Sequence, residues 1–121
     1  MSFRIYNTHM ALVENARLQS ARLLCSRISD AGVPSILVGD LNATPTSQVI
    51  ATFEENGLIR ADKSGAKTIG ILGRSVRCLD YILVTEDWRI TGGEIIRDNG
   101  KGIKPSDHCG ILATAILPAG S

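Results

Sequence analysis

The sequence has few aromatic residues and almost no net charge. Only 4% of its 121 residues are aromatic, and its 13 basic residues nearly balance 12 acidic residues. Proteins that bind long nucleic acids through a broad electrostatic surface usually carry a marked basic excess. The balance therefore argues against a processive duplex-DNA enzyme, and it is compatible with a small local site for an anion.

Long apolar runs and paired cysteines are also lacking. No stretch approaches the roughly 18 apolar residues of a membrane span, and residues 1–4 lead into a strand pattern without a signal-peptide core. Cys25, Cys78 and Cys109 are odd in number and far apart, which favours reduced, buried thiols over a disulfide framework. We therefore expect a cytoplasmic protein, unless the sequence is part of a longer polypeptide whose targeting signal lies upstream.

A strand, a helix and a second strand are predicted at the start of a single unit spanning residues 1–121. Residues 3–8 alternate and are rich in strand-forming types, and the apolar spacing between residues 18 and 28 predicts a helix over about residues 12–31, ended by Gly32. The apolar run from Ser35 to Val38 then predicts a buried strand. In such a βαβ unit, chemistry is expected at the carboxyl ends of the strands.

The rest of the chain predicts a short helix and several strands. The helix follows Thr46 or Ser47, either of which is placed to cap it. Strands are predicted at 58–61, 68–72, 77–84, 87–96 with a break near residues 92–93, and 109–117. We expect a turn at residues 73–75 and loops at 62–67 and 98–104; the second loop either contacts an anionic substrate or is simply solvated.

Two polar residues follow the buried strand, in the segment Gly39-Asp40-Leu41-Asn42. In extended backbone Asp40 and Asn42 point the same way, so one site receives a carboxylate that accepts protons and an amide that donates hydrogen bonds. This pair suits an anionic substrate attacked by water. A plain Asx-turn before the next helix explains the same residues equally well.

Asp80 lies between Leu79 and Tyr81 in a predicted apolar strand. An unpaired carboxylate is costly to bury, so we expect Asp80 to meet a partner. An edge-strand position that faces water is the alternative. The two histidines of the chain, His9 and His108, stand at the end of the first strand and just before the last one.

Taken together, four short motifs resemble the endonuclease/exonuclease/phosphatase superfamily of metal-dependent phosphoesterases, in order and spacing. The motifs are Asn7-Thr8-His9, Gly39-Asp40-Leu41-Asn42, Leu79-Asp80-Tyr81-Ile82 and Ser106-Asp107-His108. The resemblance implies an α/β (α+β) fold and covers only the C-terminal half of the family's four-layered α/β/β/α sandwich. We therefore expect a mixed sheet with helices on one face.

The resemblance also implies a catalytic role for each of five residues. Asp40 is similar to the carboxylate that orients or deprotonates the attacking water, and Asn42 to the amide that holds the scissile phosphate. His9 resembles the histidine that donates to a phosphate oxygen. Asp80 is similar to the carboxylate that pairs with His108 and favours its imidazolium form.

Asp107 resembles a residue that binds or stands near the divalent cation, so Asp107 and Asp40 are the expected metal residues. Mg²⁺ or Mn²⁺ suits such oxygen ligands. A zinc site built from His9, His108, Asp107 and Cys109 is the alternative, but the sequence shows none of the ligand spacings typical of zinc.

The half of the family domain that the resemblance does not cover normally supplies the principal metal-binding glutamate. The resemblance implies a metal-dependent phosphoester hydrolase whose substrate could be a nucleic acid. Because that glutamate is not among the matched residues, we expect weak activity in isolation. A lone half also leaves an apolar sheet face uncovered, which favours a homodimer packed sheet on sheet. The alternative is a non-catalytic dimeric half-domain that retains family residues.

Overall fold

The computed structural model describes residues 1–61, 69–71, 74–96 and 107–118. The predicted loops at 62–67 and 98–104, together with Ser106, lie outside these ranges. The helices are α1 Glu14–Ala31 and α2 Gln48–Glu55. The strands are β1 Arg4–His9, β2 Ser35–Asp40, β3 Ile59–Arg60, β4 Ile69–Ile71, β5 Arg74–Arg77, β6 Asp80–Val84, β7 Arg89–Ile96 and β8 Gly110–Ile116.

A four-stranded mixed sheet with the order β1-β2-β6-β3 forms the centre of the fold. β1 and β2 are parallel and joined by α1, whereas β6 runs antiparallel to both of its neighbours. The predicted βαβ unit and the mixed sheet are therefore confirmed.

Both helices pack on one face of this sheet. α1 buries Ala21, Cys25 and Ile28, and its end is set by Gly32, whose left-handed backbone lets its N–H donate to the Ser29 carbonyl. In α2 the Ser47 hydroxyl accepts from the Ile50 N–H, so Ser47 is the cap. Neither helix within the described ranges is long and apolar enough to cross a membrane.

The hydrophobic core lies between the helices and the sheet. Side chains alternate along a strand, and on β2 and β6 the residues that point to the helices are buried: Leu37, Tyr81 and Leu83. The same core cluster contains Val49, Ile50 and Phe53 of α2. All three cysteines are buried, as predicted, and none forms a disulfide.

The opposite sheet face carries apolar side chains that the core does not cover. Ile36, Val38 and Ile82 point to this side and are only half-buried. The Ile5 side chain on β1 is 61% exposed, and that of Phe3, the residue before β1, is 51% exposed. The fold is therefore helical on one face and apolar but open on the other.

The segment around residues 73–84 differs from the sequence prediction. The predicted turn at 73–75 is wrong, because Arg74 and Ser75 belong to β5, and the predicted strand at 77–84 is broken between Arg77 and Asp80. The reason is a change of partner: β5 pairs with β4, whereas β6 pairs with β2 and β3. β-propensity alone cannot detect where a chain moves from one sheet to another.

The last two strands form an antiparallel hairpin, β7–β8. Their register shifts between Ile90 and Gly92, which confirms the predicted irregularity close to the paired glycines. The hairpin brings β8 next to β6, so that His108, just before β8, reaches the central sheet.

Candidate functional site

Three polar residues form a row across the end of the central sheet. His9 and Asp40 are register partners at the carboxyl ends of β1 and β2, and Asp40 is in turn the register partner of Asp80 on β6. Parallel strands bring their carboxyl ends together, and an antiparallel neighbour contributes its amino end at the same edge. The expected location of chemistry therefore contains a carboxylate on each of two adjacent strands.

His108 completes the row through Asp80. Its Nδ1 lies 2.7 Å from Asp80 Oδ2, the distance of a short, charge-assisted hydrogen bond. This bond raises the pKa of His108; partial burial opposes the rise, and the charges of Asp80, Asp40 and Asp107 add to it. The imidazolium form of His108 is therefore favoured.

The raised pKa predicts how the contact contributes to stability. Since the folded-state pKa of His108 lies above the unfolded value, the stabilisation is fully present below the unfolded pKa and is lost as pH rises through the folded pKa. We expect the free energy of unfolding of the wild type to exceed that of Asp80→Asn most near about pH 6 and least near about pH 9. Chemical denaturation across this range, followed through the single tryptophan, measures the difference; a gap that widens with pH would contradict the assignment.

The Asp40 carboxylate lies between the two imidazoles. Its Oδ2 is 3.5 Å from His9 Nε2 and 3.7 Å from His108 Nε2. The Asp40 side chain is 16% exposed, whereas that of His9 is 77% exposed, so the site opens to solvent on the His9 side. The Asp40 carboxylate is therefore accessible from the His9 side.

Asp40 also closes an Asx-turn, because its Oδ1 accepts from the Asn42 N–H at 2.9 Å. The Asx-turn is therefore confirmed, and the extended backbone predicted through Asn42 is wrong. One carboxylate oxygen of Asp40 holds the turn, and the other faces the imidazoles. Asn42 has a positive φ of 47°, which asparagine tolerates. Its Nδ2 donates to the Met10 carbonyl at 2.5 Å, leaving a second amide hydrogen for another acceptor.

Asp40, Asp80 and His108 each offer a ligand atom within 4.8 Å of the others, and all three are half-buried. The two carboxylates of this group suit a hard cation such as Mg²⁺ or Mn²⁺, whereas His108 in its imidazolium form has no lone pair to offer a cation. Asp107 is exposed and lies outside this group, although its charge acts on His108. Within the described ranges no group of potential ligands includes Cys109, so the zinc alternative gains no support.

A hollow of about 390 Å³ adjoins the row on the open sheet face. Asp40 and Asp80 lie at its polar end, and the apolar part is lined by Val38, Ile82, Cys109 and Ile111. This places the candidate site at the border between a polar strand end and an apolar surface.

Sequence reasoning missed two residues that shape the site. Gly39 has φ 145°, and a Cβ built there would lie 1.8 Å from the Thr8 carbonyl oxygen, so only glycine lets β1 and β2 approach closely beside His9 and Asp40. Tyr81 donates its hydroxyl to the Ala43 carbonyl. A glycine beside Asp40 could have indicated a close approach of two strands, whereas nothing in the sequence links Tyr81 to Ala43.

Solved structures share this fold. An endonuclease/exonuclease/phosphatase family protein from Bacteroides thetaiotaomicron aligns with TM-score 0.82 and 22% identity, over 95% of this chain and 49% of that one. A mannosyl-6-phosphatase from the same organism gives 0.77 and 22%, over 93% and 50%. A 3′ phosphatase from Neisseria bound to a product DNA hairpin gives 0.68 and 16%, over 84% and 52%. The chain thus spans about half the length of these structures.

The family comparison agrees with the fold. No curated protein matches the sequence. The family model described as "Endonuclease/Exonuclease/phosphatase family" matches residues 5–108, a range that begins on β1 and ends at His108. This chain therefore belongs to the endonuclease/exonuclease/phosphatase family.

Proposed function

We propose that this chain provides the C-terminal catalytic portion of a metal-dependent phosphoester hydrolase. The observation that carries the proposal is the convergence of His9, Asp40 and the Asp80–His108 pair on one strand end. In-line attack on a phosphate requires an acceptor for the proton of water and cationic donors for the non-bridging oxygens. These side chains supply both.

Each residue has a distinct part in this proposal. Asp40 orients the attacking water and takes its proton, using the oxygen that is not held in the Asx-turn. His108, kept cationic by Asp80, donates from Nε2 to a phosphate oxygen, and His9 donates from the solvent side. Asn42 directs its second amide hydrogen to the scissile phosphate.

Asp40 and Asp107 are the proposed residues for holding Mg²⁺ or Mn²⁺. Asp80 stands in the same compact group as Asp40, but its Oδ2 is already engaged by His108. A bound divalent cation would supply positive charge that offsets the charge developing on the phosphate oxygens. Asp107, adjacent to His108 and exposed, can approach the cation from the solvent side.

Metal binding by the isolated chain tests this assignment. We expect calorimetry to detect Mn²⁺ with a Kd on the order of 1 mM, because two carboxylates make a weak site. Asp107→Asn should weaken binding several-fold, and Asp30→Asn, which alters an exposed carboxylate on α1, should leave it unchanged. No detectable binding by the wild type would favour the alternative, a non-catalytic half-domain that retains family residues.

The substrate is proposed only as a phosphomonoester or phosphodiester. Among similar structures, one is named a mannosyl-6-phosphatase and another is a 3′ phosphatase bound to product DNA, so sugar phosphates and nucleic acid ends are both reasonable substrate classes. Since the chain spans about half of those structures, we propose that its turnover in isolation is weak. Hydrolysis of a chromogenic phosphodiester and a phosphomonoester with Mg²⁺, at high protein concentration, tests the function and separates the two classes.

We further propose that the open apolar sheet face is covered by a second copy of the chain. Phe3 and Ile5 are more than half exposed on this face, and exposed apolar patches of several hundred Å² are roughly the limit for soluble monomers. We expect light scattering to give twice the 12.9 kDa chain mass at micromolar concentration. Ile5→Lys should yield monomers, whereas Leu23→Lys on the exposed side of α1 should not. A monomeric wild type would contradict the proposal.

A further inference from the structure

We propose that Tyr81 is a positioning residue for the candidate site, holding the Asp40–Ala43 turn against β6 from the helical side of the sheet. The inference rests on the function proposed above, since it concerns how the residues of that site are held. The Tyr81 hydroxyl bonds to the Ala43 carbonyl, so Tyr81 acts through the turn that carries Asp40 and Asn42.

The Tyr81 hydroxyl is close to two backbone carbonyls. Tyr81 is only 3% exposed, and its oxygen lies 2.5 Å from the Ala43 carbonyl oxygen and 3.1 Å from that of Cys78. The hydroxyl has one hydrogen for two possible acceptors, and the shorter contact is with the turn. Ala43 is itself buried, so its carbonyl would lose its hydroxyl partner without Tyr81.

Tyr81 follows Asp80 directly on β6, so its bond to Ala43 links the Asp40 turn to the strand that carries Asp80. Asp80 and Tyr81 are neighbours on one strand, so their side chains leave opposite faces of the sheet. Asp80 contacts His108 on the open face, while Tyr81 donates a hydrogen bond to the Ala43 carbonyl, in the turn after Asp40, on the helical face. One dipeptide thus fixes both halves of the row relative to each other.

A second contact joins the same two segments. The Leu41 N–H donates to the Leu79 carbonyl at 2.9 Å, so the turn is bonded to the start of β6 through its backbone as well. Together the two bonds limit how far Asn42 can move from Asp80. Without the hydroxyl bond, the turn keeps the Leu41 contact and the pairing of Asp40 with Asp80, but it loses the Tyr81 bond to β6.

Arg60 holds the aromatic ring in place. Its guanidinium carbon is 5.0 Å from the centre of the Tyr81 ring, and its Nη2 donates to Cys78 Sγ at 3.4 Å. Burial raises the pKa of Tyr81, with further contributions from Cys78, so the hydroxyl keeps its hydrogen across the working pH range. The hydroxyl is therefore a hydrogen-bond donor whose position is fixed by the packing of its ring.

The chain contains a matched control for removing this hydroxyl. Tyr6 on β1 also has a buried hydroxyl oxygen, but that oxygen has no hydrogen-bond partner within the described part of the chain. Tyr81→Phe and Tyr6→Phe therefore delete the same atom, with and without the loss of a bond. A general cost of losing a tyrosine hydroxyl would appear in both variants.

Residue-resolved amide hydrogen exchange tests the proposal without requiring turnover. In Tyr81→Phe we expect the Leu41 and Asn42 amides to exchange at least about fivefold faster, while α1 amides stay within about twofold of the wild type. Tyr6→Phe should leave the turn unchanged. Arg60→Met, which keeps the hydroxyl bond but frees the ring, should give a smaller acceleration confined to the same amides.

Kinetics add a readout that general destabilisation does not reproduce. With a phosphodiester substrate, Tyr81→Phe should lower kcat about tenfold with KM within about twofold, because small displacements of reacting groups slow the chemical step. Unchanged turn exchange, or acceleration spread equally over α1, overturns the proposal. Accelerated turn exchange in a chain whose wild type hydrolyses no phosphoester supports the positioning role and overturns the proposed function instead.

Discussion

Asp40→Asn is expected to lower phosphoester hydrolysis by about a thousandfold or more while leaving the fold intact. The substitution removes the carboxylate that faces His9 and His108 and that we propose as the proton acceptor, and a positioned general base contributes about 10²–10⁴ to a rate. It also removes one of the proposed cation ligands, which adds to the loss. Because the asparagine carbonyl can still accept from the Asn42 N–H, the Asx-turn should persist.

Asp30→Asn is the matched control for this experiment. Asp30 is an exposed carboxylate near the end of α1, which leads into the amino end of β2, whereas Asp40 lies at the carboxyl end. The control should keep wild-type activity with Mg²⁺. If Asp40→Asn retained more than about a tenth of the rate, Asp40 would not be the base that the mechanism requires.

Gly39→Ala is expected to destabilise the fold by on the order of 4 kcal/mol. A Cβ at this position would lie 1.8 Å from the Thr8 carbonyl oxygen and 2.9 Å from the carbonyl carbon, both backbone atoms of β1. Forced overpacking costs about 1–3 kcal/mol, and strained backbone adds about as much. β1 must then move away from β2, which carries His9 away from Asp40.

Gly32→Ala measures the cost of a positive φ without the steric clash that a Cβ at Gly39 would cause. Gly32 also has a positive φ, 62°, but nothing lies within 4 Å of a Cβ built there. Its substitution should cost only about 1–2 kcal/mol, the price of a left-handed backbone at an ordinary residue. Urea denaturation of both variants measures the difference; equal losses would show that the close approach of β1 and β2 does not depend on Gly39.

Much of the fold was predictable because its strongest patterns are local. The apolar run before Asp40, bounded by Pro34 and Gly39, indicated a buried strand, and the helical spacing after His9 indicated the crossover helix. A βαβ unit places the carboxyl ends of its strands side by side, so the proximity of His9 and Asp40 followed from elements that the sequence identifies by itself.

The remaining contacts depend on residues far apart in the sequence. Tyr81 meets Ala43 across 38 positions and His108 meets Asp80 across 28, so no short window contains either pair. The change of sheet between Arg77 and Asp80 likewise depends on which strands lie alongside. Asp80 was recognisable as a carboxylate in an apolar strand that needed a partner, but the contact with His108 depended on family resemblance and long-range geometry.

We propose that the row of His9, Asp40, Asp80 and His108 binds a phosphate beside a cation that Asp40 and Asp107 hold. Proton NMR of the two histidine rings during a Mn²⁺ titration tests it most directly, since the paramagnetic ion broadens only nearby resonances. We predict that the ring protons of His9 and His108 broaden together at low Mn²⁺ and that Asp40→Asn abolishes the effect. Broadening of neither ring, or of only one, would show that the cation does not bind beside this row.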